Sequence, residues 1–364
     1  MPHAELLTFT ETPSEARVSP ADRTVAMQDP GFGLVFTDHM VTIQFSQDRG
    51  WHDARVSPRG PIPLDPAAGV LHYAQEIFEG MKAYRTPDGG AQLFRPDENA
   101  KRFQRSAERM EMPTLPVPVF IEAVERLVRI DKAWIPTDDG SLYLRPFMFS
   151  SQAFLGAKPA SQYQFVVIAS PVGSYFKGGA AGVSVWASKT YSRAGFGGTG
   201  SAKCGGNYAA SMIAQAEAAR HGCDQAIFLD AASRQYIEEL GGMNVFFVFE
   251  DGSLLTPPLN GNILPGVTRA SIMTLAKDIG LTVREELYSL DQCRADILER
   301  KVVEAFACGT AAVVTPIREI KADDWSVTVG AGRVAHLTER LREQLVAIQR
   351  GEAPDPHRWT QRLF

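Results

Sequence analysis

The chain has 364 residues, 45% of them hydrophobic and 22% charged, which is ordinary folded composition and enough length for two domains. Its 37 Lys and Arg against 42 Asp and Glu leave a net charge of −5, without the broad positive field of a dedicated nucleic-acid binder. No run reaches the roughly 18 apolar residues of a membrane helix, and the first residues lack the pattern of a secretory leader, so a cytoplasmic protein is expected. Cys204, Cys223, Cys293 and Cys308 show no CxxC or CxC spacing, and the seven histidines show no ligand spacing. Reduced thiols are expected, and no metal site.

Residues 1–25 read as a loose N-terminal arm. Residues 26–170 read as a small α+β domain. Met40–Phe45 predicts a strand, and Met81–Arg85 and Gln92–Phe94 predict a hairpin over the Pro87-Asp88-Gly89-Gly90 turn. A helix is predicted from Pro96 and Asp97 to about Met110. Another runs over Val119–Ile130, with Phe120, Ala123, Val124, Leu127 and Val128 on one face. Ser141–Phe149 and Tyr163–Ala169 return to strand. The glycine-rich stretch 171–182 reads as an interdomain linker, and 183–364 as a larger domain of mixed strands and helices. There, strands are predicted at Val183–Ala187, Ala226–Leu229 and Asn244–Phe249, and one ending at Val313–Pro316. Helices are predicted at Tyr208–Arg220, Thr268–Ile279 and Glu339–Ile348.

Five segments could carry chemistry. Lys203 stands between the glycines of Gly195–Gly200 and Gly205-Gly206, just before a helix. The spacing breaks the phosphate-loop pattern, because two residues separate Gly200 from the lysine and no Ser or Thr follows it. A solvated lysine on a surface loop stays open as a reading. Glu238-Glu239 stand at a strand–turn junction, where exposed edge charges are the plain alternative. Leu264-Pro265-Gly266-Val267-Thr268-Arg269 opens a helix whose first amides favour an anion. Cys308-Gly309-Thr310-Ala311-Ala312 is a small-residue turn. Leu142-Tyr143-Leu144-Arg145-Pro146 puts Tyr143 and Arg145 on one face of a strand. A lysine, a carboxylate and a helix-terminal anion site together are what pyridoxal phosphate requires.

Phe36-Thr37-Asp38-His39-Met40, Phe78-Glu79-Gly80-Met81-Lys82-Ala83-Tyr84, Leu142-Tyr143-Leu144-Arg145-Pro146, Gly205-Gly206-Asn207-Tyr208, Leu264-Pro265-Gly266-Val267-Thr268-Arg269 and Gly309-Thr310-Ala311 resemble the branched-chain amino acid aminotransferases, class IV enzymes of pyridoxal phosphate fold type IV. The resemblance runs from about Gly31 to the C-terminal helix, and the chain length is similar to the larger, eukaryote-like branch. It implies a two-domain, D-amino acid aminotransferase-like α/β fold, with an α+β small domain and a mixed, α/β-barrel-like large domain carrying the cofactor lysine. It implies transamination of leucine, isoleucine and valine with 2-oxoglutarate by a ping-pong mechanism.

The resemblance also implies roles. Lys203 is the Schiff-base lysine and moves the proton between Cα and the cofactor's C4′. Glu239 pairs with the pyridine nitrogen, Tyr208 with the phenolic oxygen, and Arg102, Val267 and Thr268 with the phosphate. Thr310 and Ala311 offer amides to the substrate carboxylate. Phe32, Tyr73, Tyr143 and Tyr175 line the side-chain pocket, and Arg145 meets glutamate's distal carboxylate. A homodimer is implied, with Gln152–Ala157 covering the partner's site, and an active site between the domains. Ala312 and Thr315 replace a CxxC pair of mammalian-type relatives, and Gly242 replaces a common Thr. D-amino acid aminotransferases and aminodeoxychorismate lyases are the alternatives within the fold. A nucleotide-binding regulatory protein with a glycine loop is the alternative outside it.

Overall fold

The structure, a computed structural model, describes residues 7–137, 139–173, 182–332 and 335–364. The chain divides into two compact units. One holds Met1–Tyr175, Ala202–Gly205 and Ile348–Phe364, and the other Phe176–Ser201 and Gly206–Ala347.

The first unit is built on a sheet of β1 (Phe9–Glu11), β2 (His39–Ser46), β3 (Gly50–Pro58), β4 (Glu76–Phe78), β5 (Met81–Arg85), β6 (Ala91–Phe94), β7 (Ser141–Ser150), β8 (Gln162–Val172) and a C-terminal strand, Thr360–Arg362. The order is β1-β3-β2-β8-β7-β5-β6 and then the C-terminal strand, with β4 also on β7. Apart from β1, which runs parallel to β3, the pairs are antiparallel. Two helices cover one face, α3 (Pro96–Arg109) and α4 (Val117–Ile130). The helical period of α4 brings Val119, Phe120, Ala123, Val124, Leu127 and Val128 inward, all buried. Phe103, Phe120 and Phe165 meet there with ring centroids 5.4–5.8 Å apart. Burial of each such side chain contributes about 1.5–3 kcal/mol.

The expected loose arm is ordered over its described part. Phe9–Glu11 joins the sheet, and Pro20 opens the helix α1 (Pro20–Gln28), whose Asp22 amide donates to the Ser19 hydroxyl. Ser14 N donates to His39 Nε2, and Val18 N to Asp38 Oδ1, both at 2.8 Å. These partners lie 20 or more residues away, so no local pattern announces them. A short helix, α2 (Gly69–Tyr73), precedes β4.

The second unit carries β9 (Val183–Ser188), β10 (Gln225–Leu229), β11 (Ile237–Leu240), β12 (Asn244–Phe249), β13 (Leu254–Thr256), β14 (Val283–Glu285), β15 (Val302–Gly309), β16 (Val313–Ala322) and β17 (Trp325–Thr328). Their order is β11-β10-β9-β16-β15-β12-β13-β14, with β17 on the edge of β16. β9 runs parallel to both neighbours, β10 and β16, and β15 pairs antiparallel with β12 and β16, so the sheet is mixed. The helices are α5 (Gly205–Arg220), α6 (Val267–Asp278), α7 (Leu290–Leu298) and α8 (His336–Arg350). The expected mixed α/β architecture is thus present. The lysine segment Ala202–Gly205, expected with the larger domain, instead clusters with the first unit, where Ala202 and Cys204 are buried in the core. Among the described residues no helix is long and apolar enough to cross a membrane, and no group of three or more His, Cys, Asp or Glu could hold a metal.

Candidate active site

Lys203 is fixed by its own backbone. Its amide donates to Ser106 Oγ at 2.9 Å, and its carbonyl accepts from Phe78 N at 2.9 Å. Two residues on, Gly205 N donates to Glu76. This clamp leaves the ammonium 4.9 Å from the centre of the Phe78 ring. Next to Phe78 stands Glu79, with no exposed surface. Arg102 Nε and Nη2 donate to its two oxygens at 2.7 and 2.8 Å, and Asn99 Nδ2 donates at 2.8 Å. Burial pushes the Glu79 carboxyl up, but the charge and hydrogen bonds of Arg102, the charge of Lys203 and the Asn99 amide outweigh it and hold it below its ordinary value. Glu76 is pushed the other way, upward, by burial.

Strand alternation brings Tyr143 and Arg145 together as the sequence spacing predicts. Arg145 Nη2 donates to the Tyr143 hydroxyl at 3.1 Å, and the guanidinium lies 4.7 Å from the Phe78 ring centre. Phe32 meets Tyr143 edge-on at 5.0 Å. Gly80 is required here, because a Cβ would run into the Tyr143 hydroxyl. Phe78 and Glu79 therefore stand at the centre of this cluster, although sequence reading gave them no role of their own. Arg102, expected at a phosphate, is engaged by Glu79 through two of its three nitrogens. Tyr73 ends α2, exposed, and donates to Leu155 O at 2.5 Å. Tyr175 lies outside the described residues.

In the second unit, alternation along β11 sends Glu238 and Glu239 to opposite faces, both buried. Glu239 Oε1 accepts from Leu264 N at 3.0 Å and lies 2.8 Å from Arg193 Nη1. Its Oε2 accepts from Asn244 Nδ2 at 3.3 Å, while the same amide donates to Leu264 O at 3.0 Å. The segment held in this way leads straight into α6, which starts at Gly266 with no side-chain cap. A Cβ on Gly266 would strike Asn244 Oδ1, so only glycine allows this approach. Glu238 instead accepts from Asn260 and Asn262 amides, at 3.1 and 2.9 Å.

Gly242 lies beside the Tyr208 ring, with 3.6 Å from the site of a Cβ to Cε1, and Gly309 approaches Gly242 O at 3.5 Å by the same measure. The second unit thereby gathers Tyr208, Glu239, the start of α6 and the turn Thr310–Ala311. Val313, which closes that turn, has φ of +60°, a strained value for a β-branched residue and of a kind that clusters at functional sites. Where relatives were expected to carry a thiol pair, Thr315 Oγ1 donates to Ala312 O at 3.1 Å. All four cysteines are buried and free, and burial pushes the Cys308 thiol up to about 12.

Residues 76–320 match the family described as Amino-transferase class IV. The chain is 51% identical, over 98% of each protein, to a branched-chain-amino-acid aminotransferase of Mycobacterium tuberculosis. Among solved structures, the Escherichia coli branched-chain amino acid aminotransferase superposes with a TM-score of 0.76 at 29% identity, covering 90% of this chain and 99% of that one. The T.th. branched-chain amino acid aminotransferase, solved in complex with N-(5'-phosphopyridoxyl)-L-glutamate, gives 0.73 at 28% identity over 88% and 98%. The fold and the matched span define a class IV aminotransferase, and the chain is therefore a transaminase. Within that class it belongs to the branched-chain-amino-acid aminotransferase family. Its length is that of the bacterial relative, so length does not single out a eukaryote-like branch.

Proposed function

We propose that the protein transfers the amino group between branched-chain L-amino acids (leucine, isoleucine and valine) and 2-oxoglutarate, giving branched-chain 2-oxo acids and L-glutamate, with pyridoxal 5'-phosphate as cofactor. The residues fit that cofactor. The uncapped start of α6 suits a phosphate, and the buried Glu239 carboxylate suits a protonated ring nitrogen; Leu264 and Asn244 tie the two features together. Bound pyridoxal phosphate supplies the carbonyl carbon that takes up amino groups and the ring that accepts electrons.

The amides of Val267 and Thr268 bind the phosphate, and Arg102, aimed by Glu79, adds a cation to it. Glu239 accepts the N–H of the ring nitrogen and keeps that nitrogen positive. Tyr208 donates to the phenolic oxygen. Lys203 would hold the cofactor's carbonyl carbon and would move the proton between substrate Cα and that carbon. The amides of Thr310 and Ala311 hold the α-carboxylate. Phe32, Tyr73, Tyr143 and Tyr175 bound the apolar side-chain pocket. Arg145, whose buried Nε has no hydrogen-bond partner among the described residues, meets the distal carboxylate of glutamate.

The reading includes a homodimer working in the cytoplasm. The exposed Leu71, Tyr73 and Leu155, on segments joined by the Tyr73 hydroxyl, offer an apolar patch for a second copy. Four free thiols suit a reducing compartment.

The observation that carries the proposal is the backbone clamp that fixes Lys203 against Phe78 and beside the Glu79–Arg102 pair. The test is a transamination assay with 2-oxoglutarate across amino donors, with Lys203→Ala beside the unchanged protein. The expected result is a yellow protein active on leucine, isoleucine and valine, and a variant that loses activity and the covalent cofactor spectrum. A colourless protein, or activity confined to D-amino acids, would overturn it.

A further inference from the structure

Arg193 is a buried cation that the mechanism above leaves without a part. It is 5% exposed, and Glu239 beside it 2%. A single nitrogen, Nη1, lies 2.8 Å from Glu239 Oε1, donates to Asn262 O at 3.0 Å and approaches Gly200 O at 3.4 Å. Nε, also buried, has no hydrogen-bond partner among the described residues. Removing two charges from water is costly, and a buried ion pair seldom stabilises a fold more than apolar residues of the same volume. The neighbouring Glu238 makes the comparison within the same strand. It is also buried, yet two neutral asparagine amides suffice for it. A guanidinium at Glu239 is thus more than burial requires.

The three partners share a second property. Glu239 is assigned to the ring nitrogen, Asn262 lies four residues before Gly266 at the start of α6, and Gly200 lies three residues before Lys203. We propose that Arg193 is a positioning residue for the cofactor's pyridine end: it fixes the carboxylate of Glu239 against the segments that lead to the phosphate-binding helix and to the lysine, and it sets a positive charge beside that carboxylate. The proposal rests on the assignment of Glu239 to the ring nitrogen made above. Arg193 itself touches no reacting atom.

The test compares Arg193→Gln, Arg193→Lys and Glu239→Gln with the unchanged holoenzyme. The readouts are the pH midpoint of the cofactor's visible absorption and the dissociation constant of pyridoxal phosphate from the apoprotein. Loss of a positive charge makes protonation of the bound chromophore easier. Arg193→Gln is therefore expected to raise the midpoint by about half a unit or more and to weaken cofactor binding roughly tenfold. Arg193→Lys keeps the charge and is expected to restore the midpoint to within about 0.2 units. A purely structural role would lower the melting temperature of both variants and leave the midpoint where it was, and that result overturns the proposal. If Glu239→Gln changes neither readout, the assignment of Glu239 falls and the proposal with it. If Glu239→Gln changes both and Arg193→Gln neither, only the proposal for Arg193 falls. Arg193→Met is the second neutral variant should Arg193→Gln not be recovered folded, with the same expected rise.

Discussion

Glu79 is held by opposed forces. Its complete burial alone would raise the carboxyl's pKa, and its contacts with Arg102, Lys203 and Asn99 reverse that and hold it below the ordinary 4.5. A carboxylate depressed in the folded state contributes stability that is present above its unfolded value and is lost as pH falls through the folded one. Glu79→Gln removes the charge and leaves the Arg102 guanidinium buried without its counter-ion, a change that costs about 3–5 kcal/mol. The variant is therefore expected to unfold at distinctly lower urea than the unchanged protein at pH 7. The gap between the two should begin to narrow below pH 4.5, where the unfolded carboxylate takes up a proton, and close as pH falls through the lower value of the folded one. Urea unfolding at neutral, mildly acidic and strongly acidic pH measures both. A gap that stays constant with pH would mean that the ionised carboxylate is not its source.

Helix α8 shows how an element can be held by a residue far from it in sequence. Its first amides donate to one side chain on β15: Leu337 N to Glu304 Oε1 at 3.0 Å and Thr338 N to Oε2 at 2.8 Å, with the Thr338 hydroxyl also on Oε2. A carboxylate there satisfies orphan donors and opposes the positive end of the helix dipole. Glu304→Ala is expected to cost about 1–2 kcal/mol, and Glu304→Gln less, since an amide oxygen still accepts. Thermal unfolding of both variants checks the order, and equal stability of all three proteins would count against the cap. The sequence predicts this helix only from Glu339, because the cap on Thr338 comes from 34 residues upstream in the chain. Elements with a strong helical period, such as α4, or a long apolar run, such as β7 and β12, are legible to within a few residues. The three-residue strands β13 and β14 are too short to show one and escape notice. The site divides in the same way. Tyr143 and Arg145 follow from strand alternation, and the start of α6 from its Pro-Gly entry. Arg193 has no local signature, because its partner Asn262 is 69 residues away and only folding brings them together.

At the scale of the whole chain, the first unit is assembled from three separated pieces, the last of them the C-terminal segment Ile348–Phe364. That segment is bound along its length. Gln92 Nε2 donates to the carbonyls of Ile348 and Gln349 at 3.1 Å, Arg95 N donates to Trp359 O at 2.7 Å, and Leu363 N to Ala91 O at 2.9 Å. Thr360–Arg362 pairs antiparallel with β6, Leu363 is buried, and Arg362 Nη2 lies 2.6 Å from Asp88 Oδ2. The outermost pairing of this sheet therefore joins β6 to residues far along the chain, a long-range pairing that slows folding. Removal of residues 358–364 leaves β6 as an open edge with unpaired backbone groups. In such a truncated chain, hydrogen exchange at Ala91–Phe94 is expected to speed up markedly and the melting temperature to fall. Exchange in β9, β10 and β16, which belong to the second unit, should remain at its original rate. Among the described residues those strands pair with one another and with β11, β15 and β17, all of the same sheet. Equal acceleration in both units would show that the chain opens as one cooperative body. Unchanged exchange at β6 would show that the C-terminal strand does not protect it.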